Sequence, residues 1–284
     1  MIYEKISGFS DEISPDTTKQ FTVLNKLNIK YFEPRCVNGK NISELNDEEV
    51  TNLKEQMKSF GISVSSLGSP IGKIKVSDDF APHFELYKRV VKIAKMLDCK
   101  FIRMFSFYND GGSWTPFERA EVFKKLAVML DYAQKEGVVL LHENEKDIYG
   151  DNISRCKEIM EEFYCDNFGM VFDPANFVQT GVDTVEAFDS FKNYITYMHI
   201  KDALFKDGSV VPAGEGDGSV PSILKTLAET GKPYMLTLEP HLYDFSGLQN
   251  LQGEDVLHKR VYKDADEAFD VASDALHDIL KTIE

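Results

Sequence analysis

Cysteine is scarce and scattered. Cys36, Cys99, Cys156 and Cys165 form no CxxC pair and lack the density of a disulfide-stapled scaffold, so they read as free thiols of a reducing compartment. Positive charge is short as well: 32 Lys and Arg face 47 Asp and Glu, for a net charge of −15. That balance opposes nucleic-acid binding through counterion release and adhesion to anionic membranes. No apolar run approaches the roughly 18 residues of a spanning helix. The opening MIYEKISGFSDE lacks the basic-then-apolar order of a secretory signal. Flexible linkers, low-complexity stretches and sequence repeats are also missing, so nothing marks a place to cut the chain. What remains is 284 residues, 43% of them hydrophobic, enough for a sizeable core. The expectation is a cytoplasmic globular protein with neither a nucleic-acid nor a membrane partner.

A rhythm runs through the chain. Short β-rich segments (6–10, 29–33, 63–67, 101–104, 138–143, 168–173, 194–200 and 234–239) alternate with longer helix-period segments. Apolar stripes mark three of those helices: Phe84, Tyr87, Val91 and Ala94; Phe123, Leu126, Ala127 and Leu130; and Ala265, Ala268, Phe269, Ala272, Leu276, Ile279 and Ile283. Gly61 and Gly137 stand where a helix C-terminus needs positive φ, and Thr115-Pro116 opens a helix. Strands joined by helical crossovers form parallel sheets. Eight such units predict a closed (β/α)8 TIM barrel formed as one domain over 1–284. The rival, an open doubly wound sheet, usually carries GxGxxG after its first strand, where this chain reads GFSDEIS. One long loop, 241–260 after the eighth strand, breaks the rhythm; a functional segment or a contact between copies of the chain would each explain it.

The last four strand candidates each end in a metal-competent side chain: Glu143, Asp173, His199 and Glu239, spaced 30, 26 and 40 residues apart. In a barrel all four would meet at the C-terminal rim, where such folds carry their active sites. Counting back by two gives a face with Gly169 and Thr237, whereas the opposite face is bulkier and more apolar, Thr196 excepted. Three carboxylates this close raise one another's pKa unless a cation compensates. A divalent ion held by three oxygens and one nitrogen is therefore expected, Mn²⁺ first, with Mg²⁺, Zn²⁺ or Co²⁺ as alternatives.

The segments GFSDEISPD (8–16), HENEKDIYGD (142–151), VFDPANFVQTG (171–181), MHIKDA (198–203), PAGEGDG (212–218) and LEPHL (238–242) resemble the xylose isomerase-like TIM barrels. That group contains sugar isomerases, ketose 3-epimerases, inosose dehydratases and endonuclease IV, and its subgroup here goes by the broad name sugar phosphate isomerase/epimerase. The resemblance implies metal ligation by the same four residues and a small sugar or polyol chelated through a carbonyl and a neighbouring hydroxyl. It implies an isomerase or epimerase working through a metal-stabilised enediolate, with Glu143 and Glu239 as the acid/base pair.

Substrate contacts are expected from Glu33 and Arg103 at the ends of strands two and four, from Asn176 in the DPAN turn and from Lys201 after the histidine. Each has a bland alternative as a rim ion pair, a turn closure or a solvated lysine. Gly214, Gly216 and Gly218 suggest a close backbone approach to a ligand. His142 departs from the family, which more often has an aliphatic residue there. By alternation it faces the helices; were the strand end frayed, it could serve as a base near neutral pH. That would favour the runner-up, a lyase or dehydratase acting on a keto-sugar, keto-glycoside or inosose. A zinc phosphodiesterase would need more histidines than the six present. A non-enzymatic sugar-binding barrel and a homo-oligomer remain open expectations.

Overall fold

The computed structural model describes residues 5–232, 234–245 and 260–283. Most of the 241–260 loop, residues 246–259, lies outside the described residues. The strands of the repeating units are β1 (Ile6–Gly8), β2 (Tyr31–Phe32), β3 (Leu67–Gly68), β4 (Phe101–Met104), β5 (Val139–Glu143), β6 (Phe168–Phe172), β7 (Ile195–Ile200) and β8 (Met235–Leu238). The helices are α1 (Thr17–Lys26), α2 (Asp47–Phe60), α3 (Phe80–Met96), α4 (Pro116–Glu136), α5 (Ile153–Phe163), α6 (Pro174–Gln179), α7 (Thr184–Phe191), α8 (Val220–Glu229) and α9 (Ala265–Lys281).

Helix boundaries follow local chemistry. Asn46 and Thr115 each close a capping box with the glutamate three residues on, satisfying backbone N–H groups that a helix start leaves bare. Gly61 and Gly137 end α2 and α4 in the left-handed conformation, at φ 64° and 73°. The buried side of α4 is Val122, Lys125, Leu126, Met129 and Ala133; of the stripe read from periodicity, Leu126 belongs to it, Phe123 and Leu130 pack half-buried against the core, and Ala127 is exposed. This helix carries apolar residues around most of its circumference, so spacing alone does not select the packed face.

Seven strands form one parallel sheet in the order β1-β8-β7-β6-β5-β4-β3. The eighth, β2, stands apart in a two-residue parallel ladder with Ser63–Val64. Backbone hydrogen bonds tie its end to both sheet edges: Glu33 N donates to Gly8 O and Gly68 N to Pro34 O, each at 3.0 Å. The expected ring of eight regular strands is thus found as seven strands plus this short ladder. Pro34 explains the interruption, because it has no N–H to continue the pairing.

The main core lies between sheet and helices. Val139, Leu141, Val171 and Tyr197 form a separate small cluster on the sheet's other face, with Phe101 and Met235 against it. A register shift between Ile195 and Tyr197 corrects the alternation in β7. It turns Ile195 to the helix side and brings Thr196 against Gly169, where no Cβ would fit. Thr196 was the one polar residue assigned to the apolar face; the bulge is why.

Candidate metal centre and active site

The four strand ends converge. Glu143 closes β5, Asp173 follows β6 as the N-cap of α6, His199 lies near the end of β7, and Glu239 follows β8. One ligand atom from each lies within 4.8 Å of the other three, and all four side chains are buried. His199 Nδ1 stands 2.9 Å from Glu143 Oε1, 3.1 Å from Glu239 Oε2 and 4.0 Å from Asp173 Oδ2. The opposite nitrogen, Nε2, is 3.3 Å from Glu33 Oε2.

Each glutamate divides its two oxygens. Glu143 Oε2 lies 3.3 Å from Arg103 Nε, and Glu239 Oε1 accepts from Arg35 Nη1 at 3.2 Å. Both guanidinium groups stand over the Phe9 ring, at 4.6 Å for Arg35 and 5.5 Å for Arg103. Phe9 in turn meets His199 edge-on. Lys201 Nζ reaches Asp173 Oδ2 at 3.0 Å and Glu239 Oε2 at 3.4 Å. Asn176 Nδ2 donates to the Asn144 carbonyl at 2.9 Å and to Glu143 Oε1 at 3.4 Å.

The electrostatics demand positive charge at the centre. Burial works against a charge on His199, yet Glu143, Glu33 and Glu239 hold its pKa well above the usual imidazole value. Burial raises the Asp173 carboxyl to about 7, against the pull of Lys201. Burial also opposes charge on Glu143 and Glu239. Even so, His199 and Arg103 bring Glu143 below the usual range, and Lys201 with His199 hold Glu239 well below it. A divalent cation fits this cluster. Asp173 Oδ2 is buried and, beyond its ion pair with Lys201, makes no hydrogen bond, and three carboxylates with one imidazole are a donor set for hard or borderline divalent ions.

Of the residues expected at the substrate, Glu33, Arg103, Asn176 and Lys201 all lie against the cluster. His142 does not. β5 runs unbroken through Glu143, so no fraying turns this ring inward, and the expected substrate contact is withdrawn. It pairs in register with Met104 and Met170, members of the helix-side core, and packs against Gly150. Both ring nitrogens are buried without hydrogen-bond partners, and burial depresses its pKa to about 4. The glycines of GEGDG do approach something closely: the Asp202 carboxylate, which accepts from Gly214 N, Gly216 N and Gly218 N at 2.8–3.1 Å.

Sequence reasoning missed Asp11, Glu12, Arg35 and the site role of His241. Arg35 takes Asp11 in a two-pronged pair at 2.9 and 3.1 Å and Glu12 at 3.2 Å, with Phe245 over it at 4.7 Å. His241 Nε2 lies 3.4 Å from both Glu12 Oε1 and Glu239 Oε1. A signal was available. Continuing the two-residue period past the strand ends pairs Glu33 with Arg35, His199 with Lys201 and Glu239 with His241.

The sequence profile of the xylose isomerase-like TIM barrel family matches residues 21–273. No curated protein matches the chain in sequence. Among solved structures it is similar to IOLI protein with a bound zinc atom, at 19% identity over 99% of both chains and a TM-score of 0.76. It is similar to an L-ribulose 3-epimerase at 16% identity, covering 98% of this chain and 94% of that one, with a TM-score of 0.75. The probable 3-DHS dehydratase AsbF of Bacillus anthracis follows at 16% identity, 96% and 98% coverage and a TM-score of 0.71. Identities this low speak for a TIM-barrel fold alone. The profile covers most of the sequence, and the chain belongs to the xylose isomerase-like TIM barrel family.

Proposed function

We propose that this protein is a divalent-metal-dependent isomerase or epimerase of a small sugar or polyol, built as one closed barrel. Glu143, Asp173, His199 and Glu239 hold the ion, Mn²⁺ before Mg²⁺, Zn²⁺ or Co²⁺. The observation that carries the reading is the pairing of two buried glutamates, each with one oxygen at the His199 Nδ1 position and the other on an arginine. When bound, the ion supplies Lewis-acid chemistry that acidifies a carbon beside a carbonyl.

The remaining work belongs to the chain's own groups. One glutamate takes the carbon-bound proton and the other returns a proton from the opposite side, so the product has the substrate's composition and mass. Arg35 and Arg103 hold the two carboxylates apart and fix which oxygen of each faces inward. Asn176 and Lys201 offer donors for substrate hydroxyls at the same rim. A zinc-bound IOLI protein and an L-ribulose 3-epimerase among the similar structures support metal and sugar chemistry. The lyase alternative shares this metal site; a base at His142 would have favoured it, and that ring lies on the helix side of β5.

The test uses Mn²⁺-loaded protein with a panel of ketoses, inososes and 3-keto sugars in D₂O. Deuterium incorporation without change of heavy-atom composition is expected. Glu239→Gln is expected to lower that exchange by about 100-fold or more. Exchange persisting near the wild-type rate overturns the acid/base pair, and a dehydrated or cleaved product overturns the isomerase reading.

A further inference from the structure

His199 must be neutral to bind a cation, and a neutral imidazole carries its single proton on one nitrogen or the other. Only one choice leaves a lone pair facing the carboxylates. Nδ1 looks into the cluster of Glu143, Asp173 and Glu239. Nε2 looks the other way, to Glu33 Oε2 at 3.3 Å. Glu33 is 1% exposed and His199 is fully buried, so the contact is shielded from bulk solvent. The ring has little freedom to flip: Phe9 stands edge-on at 5.2 Å and Tyr197 edge-on at 5.8 Å.

The Glu33 carboxylate is itself held in place. Its backbone N–H is tied to Gly8 O, and its Oε1, which lacks a hydrogen bond, lies 3.9 Å from Arg103 Nε. Below it runs a buried hydroxyl chain. Thr237 Oγ1 donates to Tyr197 OH, which donates to Ser65 Oγ at 2.7 Å, which in turn donates to Phe32 O at 3.0 Å. A buried acceptor on the far side of a ligating histidine orients the ring and raises its basicity toward the metal.

We infer that Glu33 is a positioning residue that fixes His199 as the Nε2–H tautomer, with Nδ1 as the metal-binding atom, and is not a substrate contact. This rests on the metal-centre reading above, but its test does not require turnover. Purified full-length protein is titrated with Zn²⁺ by calorimetry as wild type, Glu33→Gln and Glu33→Leu, each checked for an intact fold by circular dichroism. Glu33→Leu is expected to weaken Zn²⁺ about 10- to 100-fold. Glu33→Gln, whose amide can accept a hydrogen bond from Nε2–H or donate one to Nε2 and so does not dictate the tautomer, is expected to recover part of that loss. In the Zn²⁺-loaded wild type, ¹⁵N correlation spectra of His199 are expected to show a protonated Nε2 and a metal-bound Nδ1.

Three results overturn the inference: a folded Glu33→Leu binding Zn²⁺ within about twofold of wild type, a metal-bound Nε2, or Glu33 variants that raise KM for sugar at unchanged metal affinity. A wild type that takes up no divalent ion is a different outcome, because it overturns the metal-centre reading itself.

Discussion

The two halves of the site solve the same problem with unequal redundancy. Glu143 leans on one arginine, Arg103, whose only other acid among the described residues is Glu33 at 3.9 Å, and on Asn176. Glu239 is gripped by Arg35, Lys201 and His241 together, and Arg35 binds Asp11 and Glu12 as well. The partners also come from different distances. Arg103 sits on β4, the neighbour of β5, whereas Arg35, with Asp11 and Glu12 bound to it, reaches Glu239 from the opposite end of the chain. The Glu143 half is therefore complete once adjacent strands pair. The Glu239 half requires the first and last units to dock, and it stitches them together.

That contrast has its largest consequence in stability. Arg35→Met leaves Asp11 and Glu12 buried without their cation and Glu239 with Lys201 and His241 alone, and breaking such a network costs about 3–5 kcal/mol. Arg103→Met strands fewer groups and is expected to cost about 1–3 kcal/mol. Urea unfolding of the two variants measures the difference, and equal losses would erase the asymmetry.

How much of this was legible beforehand divides along the same line. The Glu143 half and the four inward strand ends show in sequence because each closes an apolar run whose alternation is plain. Arg35 does not, because Pro34 cuts its strand short and its partners Asp11, Glu12 and Glu239 lie far away along the chain. β7 misled locally, since the bulge at Thr196 changes the facing of Ile195. α4 misled only at Ala127, because apolar residues on most of its sides blur the edge of the packed one. The reading of 241–260 falls mostly on residues 246–259, outside the described residues, with only His241 and Phe245 placed at the site.

A control for both halves sits one residue before Glu143. Burial lowers the His142 pKa to about 4, from an ordinary value of 6.5. Between those values the unfolded chain binds a proton that the folded protein refuses, so folding stability falls as pH drops from 6.5 to 4. The full loss is about 3 kcal/mol for this group. His142→Leu, near in volume and free of the two unpaired ring nitrogens, is expected to remove that part of the slope and to cost little at neutral pH. The check is denaturant unfolding across the range; a variant as acid-sensitive as wild type shows that the slope comes from elsewhere.

The smallest effect concerns proton release on metal uptake, and it tests whether Lys201 serves the Glu239 half alone. Without metal, His199 holds an extra proton under the influence of Glu143, Glu33 and Glu239, and burial places the Asp173 carboxyl at about 7. Both must be bare before an ion binds. Below pH about 7 two protons leave per ion, so affinity climbs about 100-fold per pH unit; above it one leaves, and the climb is about tenfold. Calorimetry in buffers of different ionisation enthalpy counts the protons directly. Lys201 pulls the Asp173 pKa downward from 3.0 Å, so Lys201→Met is expected to move the break between the two regimes to higher pH. A break that stays in place means that Lys201 acts on Glu239 only, and the two halves are then more separate than their shared aspartate suggests.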